Sequence, residues 1–279
     1  MTPRTTAHDT GSVAPMGVAG MAADLRGYPD GRPPLVLLPG LTFDRGIWQP
    51  VLEHLARTDP GRQVLALDLP GHGGSPDQLP HSMLHVVSLI RDAVAEAALD
   101  APVLVGHSIS GGLASLYAAR YPARGVVNVD ALPDLAPFVR LVQSVAEQIR
   151  GDGFPAVWAM MEQSFRTDLL PAEARELVAR NSCPHQALVV SYWQELFEQT
   201  PDQVNTWLAG RMAAIGAAGV PYLLIAGAAL PPGLAERIAS TIPQATVEVW
   251  ADTGHFPHLA HPRRFADRLA ATARWTAIT

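Results

Sequence analysis

Val103-Leu104-Val105-Gly106-His107-Ser108-Ile109-Ser110-Gly111-Gly112 is the stretch on which the reading of this chain turns. An apolar run ends, a serine follows within a tight turn, and a helical pattern begins. A strand-to-helix turn of this kind is strained and lifts a serine hydroxyl clear of the sheet. It tolerates only small neighbours, and Gly106, Ser110, Gly111 and Gly112 meet that demand.

Short apolar runs recur on both sides of this stretch. Leu35–Leu38 ends at Pro39-Gly40, and Gln63–Asp68 ends at Pro70-Gly71. Gly125–Asp130, Pro221–Gly227 and Thr246–Trp250 complete the set. Runs apolar on both faces suit strands covered by helices on both sides. Helical patterns lie between them, such as Met83, Val86, Val87, Ile90 and Val94. This alternation predicts an α/β fold with a doubly wound, mostly parallel sheet. Active groups of such sheets collect in loops after the carboxyl ends of strands.

The rhythm breaks once. About 90 residues separate Asp130 from Pro221 with no strand-like run, and they hold eight of the eighteen aromatic residues. Phe154, Val157, Trp158, Met161 and Phe165 follow helical spacing on one face. The segment predicts a helical cap inserted after the sixth strand. Part of the stripe must pack the cap onto the core. The remainder, Trp158, Met161 and Phe165 with Phe256 from a later loop, is expected to line an apolar substrate pocket. The expected layout is a flexible tail over 1–19, a core domain over 20–132 and 219–279, and the cap over 133–218.

Composition excludes several alternatives. With 48% apolar and 16% charged residues in 279, the chain can bury a substantial core and is not of the disordered class. Its net charge of −6 gives no basic field for nucleic acid or an acidic membrane. All 20 basic residues are arginine, so Schiff-base lysines, Walker loops and Ser-x-x-Lys nucleophiles are excluded. Cys183 is the single cysteine, which rules out an internal disulfide and cysteine-based metal clusters. The uncharged stretch Met212–Ala235 is broken by four glycines and three prolines, which suits a buried strand between loops rather than a membrane helix. The first twenty residues lack the apolar core of a signal peptide, so a cytoplasmic protein is expected.

The Gly106-His107-Ser108-Ile109-Ser110 turn resembles the nucleophile elbow of the α/β-hydrolase superfamily, with Ser110 where the pattern has glycine. Leu38-Pro39-Gly40-Leu41-Thr42 resembles that family's His-Gly loop, with Pro39 in place of the histidine. Asp68-Leu69-Pro70-Gly71-His72-Gly73-Gly74-Ser75 resembles its structural Asp-x-Pro-Gly loop, so His72 receives no chemical role. Thr253-Gly254-His255-Phe256-Pro257 matches its Gly-His-Phe-Pro segment. The resemblance implies Ser108 as nucleophile, His255 as base, and the N–H groups of Leu41 and Ile109 as an oxyanion hole.

The acid is less direct. The segment Ile225–Pro232, where most of the family carries it, has no carboxylate. Some members carry it one strand earlier, where this chain has Asp130, with Asp134 nearby. Asp130 is preferred over Asp134, and a Ser108–His255 dyad is the third arrangement. A metal site on His255, His258 and His261 is opposed by Pro257 and Pro262. No metal or cofactor is expected.

The expected function is hydrolysis of a small-to-medium apolar carboxylic ester through an acyl-enzyme on Ser108. A lyase or carbon–carbon bond hydrolase on the same scaffold is the alternative, and a non-catalytic ligand-binding relative is a third class. The partner is a small-molecule substrate. Oligomeric state is not legible.

Overall fold

The computed structural model describes residues 14–275. Strands β1 (Ala14–Val18) and β2 (Met21–Arg26) form a hairpin. They are followed by β3 (Leu35–Leu38), β4 (Val64–Leu67), β5 (Val103–His107) and β6 (Gly125–Val129). Last come β7 (Tyr222–Ala226) and β8 (Ala245–Val249). One eight-stranded sheet results, in the order β1-β2-β4-β3-β5-β6-β7-β8. From β4 to β8 all neighbours are parallel, and β1 and β2 add an antiparallel edge.

The hairpin corrects part of one expectation. Residues 1–13 of the anticipated tail lie outside the described residues, but Ala14–Val18 pair in register with β2. The two-residue loop Ala19-Gly20 has positive φ at both positions, 49° and 75°, as a type I′ turn requires. Only Met16 and Val18 give β1 an apolar face, too short an alternation to read as a strand from sequence.

Helices cover both faces of the sheet, as the doubly apolar strands demand. Helix α1 (Gln49–Thr58) lies on one face, and α2 (Met83–Glu96) and α3 (Ile109–Ala118) on the other. Along β5, Leu104 packs with Val87 and Leu113, while Val103 and Val105 pack with Leu52 and Leu269. Between β6 and β7 the chain runs through α4 (Ala136–Ser144), α5 (Ala146–Arg150), α6 (Phe154–Ser164) and α7 (Ala172–Asn181). It continues through α8 (Gln186–Tyr192), α9 (Gln194–Glu198) and α10 (Pro201–Ala217). Then α11 (Leu234–Thr241), α12 (Pro257–Ala260) and α13 (Pro262–Ala271) complete the fold. No helix among the described residues is long and apolar enough to cross a membrane.

One buried arginine ties the base of the sheet together. Arg62 donates to the carbonyls of Pro33 and Leu269 at 2.8 Å each, to Thr272 Oγ1 at 2.9 Å and to Asp59 at 3.1 Å. Its guanidinium is thus paired as completely as burial requires.

Candidate active site

Parallel register aligns the site. His107 of β5 pairs with Val129 of β6, and Val129 pairs with Ile225 of β7. Ser108 and Asp130 therefore stand just past the carboxyl ends of two adjacent strands, and Gly227 stands past the third. The ladder continues through them, with Ser108 N–H donating to Val129 O at 2.9 Å and Asp130 N–H to Ile225 O at 2.8 Å.

Ser108 adopts φ 56° and ψ −128°, a strained conformation at the turn between β5 and α3. The need for small neighbours is literal here. A Cβ on Gly106 would stand 1.9 Å from Ser110 O, and one on Gly40 would stand 2.9 Å from His107 Nδ1. Ser110 replaces the glycine of the usual pattern and puts its hydroxyl to use. It is buried, and its Oγ donates to Pro39 O, which ties the elbow to the Leu41 loop. Ser110→Ala leaves that carbonyl unpaired and is expected to destabilise the fold by about 1–3 kcal/mol. Urea unfolding checks this, and an unchanged midpoint contradicts it.

The Leu41 loop has a second anchor. Thr42, with φ 72°, donates its N–H to His72 Nε2 at 3.0 Å, and His72 Nδ1–H donates to Pro70 O at 3.0 Å. Burial holds His72 down to about 4, so the ring stays neutral with Nε2 free to accept. His72 thereby fixes the Thr42 backbone in the loop that carries Leu41. Leu41, Ser108 and Ile109 all border one cavity of about 790 Å³.

His255 borders the same cavity as Ser108. Its Nδ1 donates to Asp130 Oδ2 at 2.7 Å, and Asp130 Oδ1 accepts from Gly227 N–H at 2.8 Å. Burial pushes the Asp130 carboxyl up, but the hydrogen bond and charge of His255, with the Gly227 N–H, hold it below the usual carboxylate range. Asp134 is occupied elsewhere, accepting from Asn205 Nδ2 at 2.9 Å. Gly227 stands in the segment where a carboxylate was sought and instead supplies a backbone donor. A Cβ there would lie 1.7 Å from Gly254 O, so no side chain fits. Ser108 Oγ is not hydrogen-bonded to His255, and such contacts commonly tighten only around a bound substrate. Both side chains line the same cavity.

His255 is also held from behind. The buried His107 donates Nε2–H to His255 O at 2.8 Å, and His255 N–H donates to Phe165 O at 2.9 Å. The Phe165 ring stacks on the imidazole, with centroids 5.1 Å apart. Sequence reasoning missed His107 as a support, because its role depends on a residue 148 positions away. His258 turns inward with no exposure, whereas His261 is exposed, so His255, His258 and His261 do not share a face.

Trp158, Met161 and Phe165 border the cavity, together with Trp193 between α8 and α9 and Leu208 of α10. Phe256 does not, which corrects the expectation for that residue. It has no exposure and packs edge-on against Phe43 and Phe165 beneath the site. The turn at Gly254 and His255 leaves His255 on the cavity wall and Phe256 in the core.

A family model described as the alpha/beta hydrolase family matches residues 35–268. The chain belongs to that family and is an enzyme of it. It is similar to a pimeloyl-[acyl-carrier protein] methyl ester esterase of Xanthomonas campestris pv. campestris, with 30% identity covering 85% of this chain and 93% of the relative. It also resembles a 2-succinyl-6-hydroxy-2,4-cyclohexadiene-1-carboxylate synthase of Pectobacterium atrosepticum, with 25% identity covering 85% and 92%. Among solved structures, haloalkane dehalogenase DbeA of Bradyrhizobium elkani shares the fold with TM-score 0.69 and 20% identity, covering 94% of this chain and 97% of that one.

Proposed function

We propose that the protein is a serine hydrolase that cleaves a small-to-medium, largely apolar carboxylic ester through an acyl-enzyme. The observation that carries this reading is the Asp130–His255 hydrogen bond at 2.7 Å, on the wall of the cavity that Ser108 enters. The similarity to a methyl ester esterase supports the same chemistry.

The Nδ1–H of His255 is committed to Asp130, so its Nε2 carries the lone pair that removes the Ser108 proton. Ser108 Oγ attacks the ester carbonyl, and the Leu41 and Ile109 N–H groups stabilise the oxyanion. His255 returns the proton to the departing alkoxide. It then takes a proton from water, which attacks the acyl-enzyme and releases the acid, while the Ser108 oxygen recovers its proton from His255. Asp130 stays ionised throughout and stabilises the charged imidazole.

A second reading, a lyase working by proton transfer with the same Ser108 and His255, is favoured by the similarity to the carboxylate synthase. A fluorophosphonate probe and a methyl ester series separate the two. The proposal expects a covalent adduct on Ser108 of the native protein and equimolar alcohol and acid from the esters. Absence of the adduct, or turnover without alcohol release, contradicts it.

A further inference from the structure

Arg211 differs from Arg62, the other buried arginine described above. It lies on α10, is 6% exposed and borders the same cavity as Ser108. None of its three guanidinium nitrogens has a hydrogen-bond partner. One face of the group rests on the Trp207 ring. Glu195, another cavity residue, contributes an attractive charge, but its Oε2 accepts from Met83 N–H at 3.1 Å and forms no salt bridge to Arg211 among the described residues. Arg62 shows how this fold treats a buried guanidinium that serves structure, with partners on all of its nitrogens. A buried cation left without partners is held at a cost in stability. Burial lowers Arg211 only to about 9, so it keeps its charge at neutral pH.

We propose that Arg211 binds a carboxylate on the substrate, remote from the ester that Ser108 attacks. The proposal rests on the ester-cleaving reading only for the position of the scissile bond. The planar fork of a guanidinium matches a carboxylate in two parallel hydrogen bonds. A single guanidinium carries one positive charge, which favours a carboxylate over a phosphate dianion. Position sets the spacing. Helix α10 packs on α3, and Arg120 just past the end of α3 is among the charges that Arg211 feels. Arg211 therefore lies toward the far end of α3. Ser115, seven residues along α3 from Ser108 and on the order of 10 Å from it at the helical rise, also borders the cavity. The walls between are mainly apolar. An ester at one end, a methylene chain across the cavity and a carboxylate at the other describe the half-ester of a medium-chain dicarboxylic acid.

The test compares monomethyl suberate with methyl octanoate, equal in carbon number and differing in the distal carboxylate. The wild-type protein is expected to favour the half-ester by about 10-fold or more in kcat/KM, mainly through KM. In Arg211→Met that ratio falls to about unity, and in Arg211→Lys it falls between the two, because an ammonium keeps the charge and loses the fork. Calorimetric titration with suberate itself needs no turnover. It is expected to show binding by the wild-type protein that Arg211→Met weakens by about 10-fold or more. A ratio or an affinity that Arg211→Met leaves unchanged overturns the proposal. If no ester is hydrolysed, the hydrolase reading fails and the suberate titration alone decides the Arg211 site. Loss of an unpartnered charge is not expected to lower the melting temperature of Arg211→Met. If that variant fails to fold, Arg211 is structural and the proposal falls.

Discussion

Asp130→Asn is expected to lower kcat for ester hydrolysis by about 10³–10⁴-fold while the protein remains folded. The carboxylate accepts from His255 Nδ1 through Oδ2 and from Gly227 N–H through Oδ1. Asparagine preserves the shape and can still accept from Gly227, so the loop keeps its anchor. Its NH₂ group then faces Nδ1 and selects the tautomer whose Nε2 carries the proton. That imidazole cannot take the Ser108 proton, and its charged form loses a countercharge. No other carboxylate can substitute, since Asp134 is engaged with Asn205 and a side chain at Gly227 would collide with Gly254 O. The measurements are steady-state kinetics on a methyl ester and a thermal melt. Turnover equal to wild type removes Asp130 from the mechanism.

Acidification from pH 7.5 to 5.0 is expected to cost about 4 kcal/mol of stability through His72 and His258 alone. Burial holds His72 at about 4 and His258, whose two ring nitrogens have no partner, at about 3. The ordinary value in an unfolded chain is about 6.5. Above that pH both states are neutral and stability does not depend on these groups. Below it the unfolded chain takes up protons that the folded chain refuses, so stability falls with pH down to the folded values. At pH 5 each ring contributes about 2 kcal/mol of loss. His107, also buried and held well below its ordinary value, acts in the same direction. Asp130 titrates below the ordinary carboxylate value and adds its loss only at lower pH. A loss of this size is a large part of the 5–15 kcal/mol typical of a domain. Urea titrations at the two pH values measure it, and equal midpoints contradict it. His258→Leu removes one proton and is expected to reduce the pH slope.

Much of the core was legible because it rests on local patterns. The runs at Leu35, Val103 and Tyr222 are apolar on both faces, which only a sheet covered on both sides accommodates. The turn at Ser108 was readable from its small neighbours, since backbone contact distances dictate residue size there. β1 was not legible, because its five residues carry little apolar pattern of their own and are held by pairing with β2 and by the burial of Val18 in the core. Phe256 was misjudged because its sequence neighbour His255 faces the cavity, and facing is set by the path of the loop. Arg211 drew no notice, since an arginine within a helix reads as solvated until its surroundings are known.

The sequence by itself determined an α/β sheet, a strained serine turn and a histidine after the last strand, because each is enforced by residues adjacent in the chain. It also left a carboxylate missing from the expected segment. Only the tertiary structure brought Asp130 to His255 across 125 positions, supplied the Gly227 N–H that aims it, and left the Arg211 guanidinium without a hydrogen-bond partner on the cavity wall. Those three facts depend on distances between separate strands and helices, which no local pattern encodes.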